Sequence, residues 1–129
     1  MGKKINEKAF IKKLIVAFPI LKDDVLDEDY LGLFSLQMGC FTRFTQQAIN
    51  SGDWALVKKC FFFIDEIFDE ANEYILNSIH VTYLGKLEIK QDLFLKEIMS
   101  DRLIQALNDI TNAYKAPHSR KVTDFLKSL

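Results

Sequence analysis

Residues 52–81 read GDWALVKKCFFFIDEIFDEANEYILNSIHV, and this stretch decides the fold. Asp53 stands at a helix N-cap position directly after Gly52. Apolar side chains then recur at three- and four-residue spacing: Val57, Cys60, Phe61, Ile64, Ile67 or Phe68, Ala71, Tyr74 and Ile75. That period belongs to an amphipathic α-helix and not to the alternation of a half-buried strand. Phe62 and Phe63 widen the apolar arc, so burial over more than half the circumference is expected. Asp65, Glu66, Asp69, Glu70 and Glu73 fill the remaining arc in two neighbouring rows, and no Lys or Arg lies between Lys59 and Lys86 to offset them. The expectation is one central helix, with a break near Asn77-Ser78 or continuity through it left open.

Upstream, Phe10, Ile11, Leu14, Ile15 and Phe18 predict a helix over Ile5–Phe18, capped by Asn6, ended by Pro19 and carrying Lys8, Lys12 and Lys13 on its other faces. Asp23, Asp24, Asp27, Glu28 and Asp29 then crowd five carboxylates into seven residues. Without the central Gly of a twelve-residue calcium loop, this segment reads as a solvated connection or helical turn, with Asp27 or Asp29 as a cap. A second helix is expected over Tyr30–Ile49. Leu33, Phe34, Leu36, Met38, Cys40, Phe41, Phe44, Ala48 and Ile49 would face inward, Gln37, Arg43, Gln46 and Gln47 outward, and Gly32 and Gly39 would lie within it. Asn50-Ser51-Gly52 stops it, so it should fold back on the central helix as an antiparallel hairpin.

Downstream, residues 76–87 continue helical to a terminus at Gly85-Lys86, and Asp92–Ile98 reads as a turn or two of helix. Ser100 caps a helix through about Tyr114. Ala116-Pro117-His118-Ser119 breaks the chain before a last short helix on Val122, Phe125, Leu126 and Leu129. The expected fold is all-α: residues 1–129 as a single-domain bundle of five to seven antiparallel helices, with HEAT-like stacking as a variant.

Composition agrees with one domain of ordinary size. The 129 residues are 49% apolar, with 11 Phe and only 2 Pro and 5 Gly to interrupt helices. The net charge of −1 conceals an asymmetry, because residues 23–109 hold 16 acidic side chains against 7 basic ones. Both ends are basic. An acidic body does not suit nucleic acid; it suits a positively charged protein partner. No apolar run reaches membrane-spanning length and no cleavable leader follows the Lys-rich start, so a cytoplasmic protein without a membrane role is expected.

No catalytic signature emerges. His80 and His118 lack the Glu three residues earlier that a di-iron bundle requires, and Cys40, Cys60 and the two His are too scattered for zinc. P-loop, dinucleotide and nucleophile-elbow patterns are absent. The two cysteines read as buried small hydrophobes, and His80 as a half-buried structural residue. The expectation is a non-enzyme with no cofactor, no metal site and no catalytic residue.

Gly52-Asp53, Phe63-Ile64-Asp65-Glu66 and Asn77-Ser78-Ile79-His80-Val81-Thr82-Tyr83-Leu84-Gly85-Lys86-Leu87 together resemble a pattern in small helical bacterial immunity proteins. These are encoded among polymorphic and contact-dependent growth-inhibition toxin systems. The resemblance covers residues 52–87 and, more loosely, Leu93–Leu107. Its acidic residue after the aromatic-Leu pair is Gly85 in this chain. The resemblance implies an all-helical domain that binds and neutralises one cognate toxin domain. With the acidic surface, the expected function is occlusion of a basic toxin, a nuclease being the expected class. Asp65, Glu66, Asp69, Glu70 and Glu73 are the expected contacts, and Asp23, Asp24, Asp27, Glu28 and Asp29 a second patch. The alternative is a non-enzymatic helical adaptor or regulatory module.

Overall fold

The computed structural model describes residues 4–89 and 98–110. Among them the chain is all-α, with no β-pairing beyond an isolated parallel bridge between Ile5 and Ala71. Helix α1 spans Glu7–Ala17 and is capped by the Asn6 side chain, which accepts from the Ala9 N–H. Pro19 ends it, and the chain turns through a 3-10 turn at Pro19–Leu21 into the single-turn α2, Lys22–Val25. Helix α3 is Phe34–Ser51 and α4 is Trp54–Phe68. Gly52 joins them at φ 74°, and Asp53 accepts from the Leu56 N–H. That left-handed residue followed at once by a cap lays α4 back against α3. Helix α5, Glu73–Ser78, runs into a π-helical segment, Ile79–Leu84. Helix α6, Asp101–Ile110, begins where the Ser100 hydroxyl accepts from the Leu103 N–H.

One core joins all of these elements. Phe10, Leu14, Phe41, Phe61, Ile64, Ile75, Tyr83 and Leu103 are essentially inaccessible to solvent. Its centre is aromatic. Phe41 stacks on Tyr83 at 4.9 Å, and Phe63 meets Phe10, Phe18 and Phe41 edge-on at 5.7–5.9 Å. The edge-to-face geometry sets positive ring edges against negative faces, which adds about 0.5–1.5 kcal/mol per pair beyond burial.

Several expectations need correction. The central helix does not run through residue 81; it stops at Phe68. Just past its end the Glu70 and Ala71 N–H groups turn back to Ile67 O, and the next two carbonyls find donors far along the chain: Lys4 Nζ donates to Asp69 O and the Ile5 N–H to Glu70 O, both at 2.8 Å. Asn72 then restarts the helix by accepting from the Ile75 N–H and holds α1 by donating to Glu7 Oε1. Near Asn77-Ser78 the chain neither breaks nor continues as plain α-helix. It widens into the π segment, closed by the Gly85 N–H donating to His80 O at 2.8 Å.

Helix α3 starts at Phe34 rather than Tyr30, and Gly32, at φ 78°, lies in the turn before it. Neither Asp27 nor Asp29 caps α3. The Asp27 carboxylate is held inside the turn, where it accepts from the Asp29 N–H. Gln37 points inward instead of outward, because its amide donates to the Val25 carbonyl left over at the end of α2. Leu33 and Leu36 are exposed, as is Phe62. The expected turns over residues 92–97 and the last helix over 122–129 lie outside the described residues, as does the end of the Ser100-capped helix beyond Ile110.

Candidate functional site

The five carboxylates of the central stretch do not share one face. Successive residues of a helix are about 100° apart, so Asp65 and Asp69 form one row and Glu66 with Glu70 the next. The first row turns toward α6. Asp65 Oδ1 accepts from Arg102 Nε and from the Ser100 hydroxyl, both at 2.7 Å, and Asp69 Oδ1 accepts from Arg102 Nη1 at 2.6 Å. The third guanidinium nitrogen donates to the Asp65 carbonyl, and the guanidinium carbon stands 5.4 Å from the Phe68 ring centre. Partial burial pushes the Asp65 carboxyl up. The hydrogen bonds from Arg102 and Ser100, with the Arg102 charge, outweigh it and hold the group below its ordinary value. The same contacts raise the Arg102 guanidinium further.

The second row turns toward α1. Glu70 pairs with Lys13 at 3.7 Å, both half exposed. Glu66 is exposed and makes no ion pair among the described residues. Glu73 is exposed in the first turn of α5, beyond the break, where the positive end of the helix dipole favours a carboxylate. The absence of Lys and Arg between Lys59 and Lys86 therefore misleads. The offsetting cations come from Lys13, 57 residues before Glu70, and from Arg102, 33 residues after Asp69. No local pattern could have revealed them.

The patch at Asp23, Asp24, Asp27, Glu28 and Asp29 is different. All five are exposed, and none forms an ion pair among the described residues. Asp23 and Asp24 occupy the first turn of α2. Exposed Leu26, Leu31 and Leu33 are interleaved with and follow them. Beside the patch opens a groove of about 530 Å³, lined by Ile11, Ile15, Leu26, Leu31, Phe34 and Tyr74 among others. This joins uncompensated negative charge to accessible apolar surface, the composition of a protein-binding patch.

Little among the described residues has the form of a reaction centre. No three His, Cys, Asp or Glu side chains converge as metal ligands there. His80 is half-buried, with Nδ1 2.8 Å from Leu76 O and its ring against Phe68. Cys40 and Cys60 are free and buried. Burial pushes the Cys60 thiol up to about 11, with the hydrogen bond to Thr45 acting against it. Burial raises the Tyr83 phenol as well, and its oxygen lies 2.9 Å from the Thr45 hydroxyl. This polar cluster is closed inside the core, where it fixes register between α3 and the π segment.

Sequence reasoning also missed a second surface. Phe62 belongs outside, since Val57, Cys60, Phe61, Ile64 and Ile67 define the buried direction and Phe62 lies roughly opposite their mean on the helical wheel. The signal was available: three consecutive Phe cannot all face one core. Beside it Lys58, Lys59, Lys12 and Lys13 gather around the groove between α1 and α4.

No curated protein and no solved structure matches this chain. A family model does match over residues 11–115, from the middle of α1 to beyond the described part of α6. The chain therefore belongs to the family described as a domain of unknown function, DUF7674.

Proposed function

We propose that this protein is a non-catalytic immunity protein that binds and neutralises a basic toxin domain, a nuclease being the expected class, and that the α2 turn leads the contact. The observation that carries this reading is the turn itself. Asp23, Asp24, Asp27, Glu28 and Asp29 are exposed and free of ion pairs among the described residues, next to exposed Leu26, Leu31 and Leu33. Uncompensated carboxylates raise the rate at which a basic surface arrives, and desolvated leucines slow its departure. Of the central stripe, Glu66 and Glu73 retain free charge and are secondary contacts. Asp65, Asp69 and Glu70 already have partners within the chain.

The test is co-expression and binding with the product of a neighbouring toxin gene. The triple variant Asp23→Lys, Asp27→Lys, Glu28→Lys should slow association by more than about tenfold, with the difference shrinking as salt rises. Leu31→Ser should speed dissociation instead. Unchanged association and undiminished protection in the triple variant would remove the turn from the interface. If the neighbouring product is bound but has no toxicity, the adaptor reading replaces immunity.

A further inference from the structure

Phe62 is 62% exposed on α4, and Val16 is 81% exposed on α1. Between these two helices runs a groove of about 520 Å³ whose floor includes Ala17, Phe18, Ala55 and Phe63. It continues past Ala17, Phe63 and Glu66 into a second depression of about 330 Å³ beside Val16 and Ile67. Lys58 and Lys59 stand at one end and Lys12 and Lys13 at the other. Lys13 is engaged by Glu70, whereas Lys12, Lys58 and Lys59 form no ion pair among the described residues. The twelve steps along α4 from Ala55 to Ile67 span roughly 18 Å. The result is an elongated apolar trough with small residues in its floor and positive charge at both ends.

We propose that this groove docks an acidic amphipathic helix of a protein partner. A helix of about twelve to fourteen residues matches the length. Its apolar residues at i, i+3 or i+4, and i+7 would lie along the trough, packing against Phe62, Phe63 and Val16. Its flanking Asp and Glu side chains would meet Lys12, Lys58 and Lys59. Ala17 and Ala55 let the incoming backbone approach closely. Glu66, which lines both depressions, selects a Lys, Arg or Gln at the position of the incoming helix that faces it. The same carboxylate disfavours an anionic membrane, since inserting acyl chains or phosphate headgroups would bury it against apolar surface or like charge. This surface shares only Lys12 with the groove beside the α2 turn, and the inference does not rest on the toxin reading.

The experiment is a display library of fourteen-residue peptides with fixed apolar anchors at helical spacing and all other positions random, panned on the full chain. Enriched peptides should carry Asp or Glu beside the anchors and a basic or amide residue at the one position that faces Glu66. Labelled winners, followed by fluorescence anisotropy, should bind at least about tenfold more weakly to Phe62→Ser and to Lys58→Glu, Lys59→Glu. All three positions are exposed, and unchanged circular dichroism checks that the variants fold. Leu31→Ser, in the other groove, should bind as the parent does. Absence of enrichment, neutral or basic winners, or affinity indifferent to both groove variants would overturn the proposal. So would sedimentation with phosphatidylglycerol vesicles that Phe62→Ser abolishes and the winning peptides fail to compete.

Discussion

Replacing Arg102 with alanine should destabilise the protein by about 2 kcal/mol at neutral pH, although the side chain is 40% exposed. Its three contacts differ in worth. The pair with Asp69 involves a carboxylate that is 77% exposed, so solvent screening leaves about 0.5 kcal/mol. The pair with Asp65, only 26% exposed, is joined by a hydrogen bond to the Asp65 carbonyl, and together these retain about 1 kcal/mol. The Phe68 ring below the guanidinium adds about 0.5 kcal/mol. Ser100 still donates to Asp65 in the variant, which prevents the larger penalty of an orphaned carboxylate. At about 3–5 °C per kcal/mol for a domain of this size, Tm should fall by about 6–10 °C. The pH dependence carries a definite sign. Because the folded-state Asp65 carboxyl titrates below its ordinary value of 3.8, its stabilisation is complete above that value and disappears as pH falls through the folded one. Urea denaturation of parent and Arg102→Ala should therefore differ more at pH 7 than in acid below the folded-state value, where the contacts to the Asp65 carbonyl and the Phe68 ring remain but the carboxylate pairing is lost. A difference below about 0.5 kcal/mol at neutral pH, or one of the same size in acid, would refute this account of how α6 is fastened.

Gly85→Ala should cost about 1–3 kcal/mol, since an added Cβ would lie 2.6 Å from the Val81 carbonyl oxygen and 3.0 Å from that of His80. Thermal denaturation with loss of hydrogen-exchange protection at residues 79–85 would register it, and an unchanged Tm would show that the π segment relaxes freely. Cys60 yields a test at the alkaline end. Its thiol titrates near 11 when folded against 9.0 ordinarily, so its contribution is complete below about pH 9 and is lost as pH rises through the folded value. Cys60→Ala should flatten the fall in stability between those values, and in the parent a thiol reagent should modify Cys60 only after denaturant is added.

Most of the fold was readable because its determinants are local. Asn6, Gly52, Asp53 and Ser100 each act within four residues of their own position, and all four form the caps or the turn expected of them. The break at residues 69–72 has a single local signal, the Asn72 cap of α5. It contains neither Gly nor Pro, and the apolar period crosses it through Ala71 and Ile75. Lys4 and Ile5 arrive there from the other end of the chain and serve the carbonyls of Asp69 and Glu70, just beyond the end of α4. The position of α3 was displaced for a related reason. Tyr30 and Leu31 fit its apolar pattern, yet their N–H groups donate to Asp27 O in a turn that Gly32 completes. Gln37 faces inward only because Val25 presents a carbonyl there.

The candidate site failed to read through for the same physical reason, now in charge rather than hydrogen bonding. A run of like charge on one helix is informative about binding only after cations from distant segments have been subtracted. For Asp65, Asp69 and Glu70 the subtraction removes most of the excess, because Arg102 and Lys13 are already there. For Asp23 to Asp29 it removes none among the described residues. The turn also cannot shed its charge into local structure, since only Asp27 has a backbone donor to hold. Carboxylates without an ion pair in their own fold while standing among exposed leucines gain most from an incoming basic surface. The turn, and not the longer acidic run on α4, is therefore where substitution should separate binding from stability. Reversing charge at Asp69 would cost stability through its pair with Arg102; reversing it at Asp23 or Glu28 should leave the denaturation curve in place and move only the association rate.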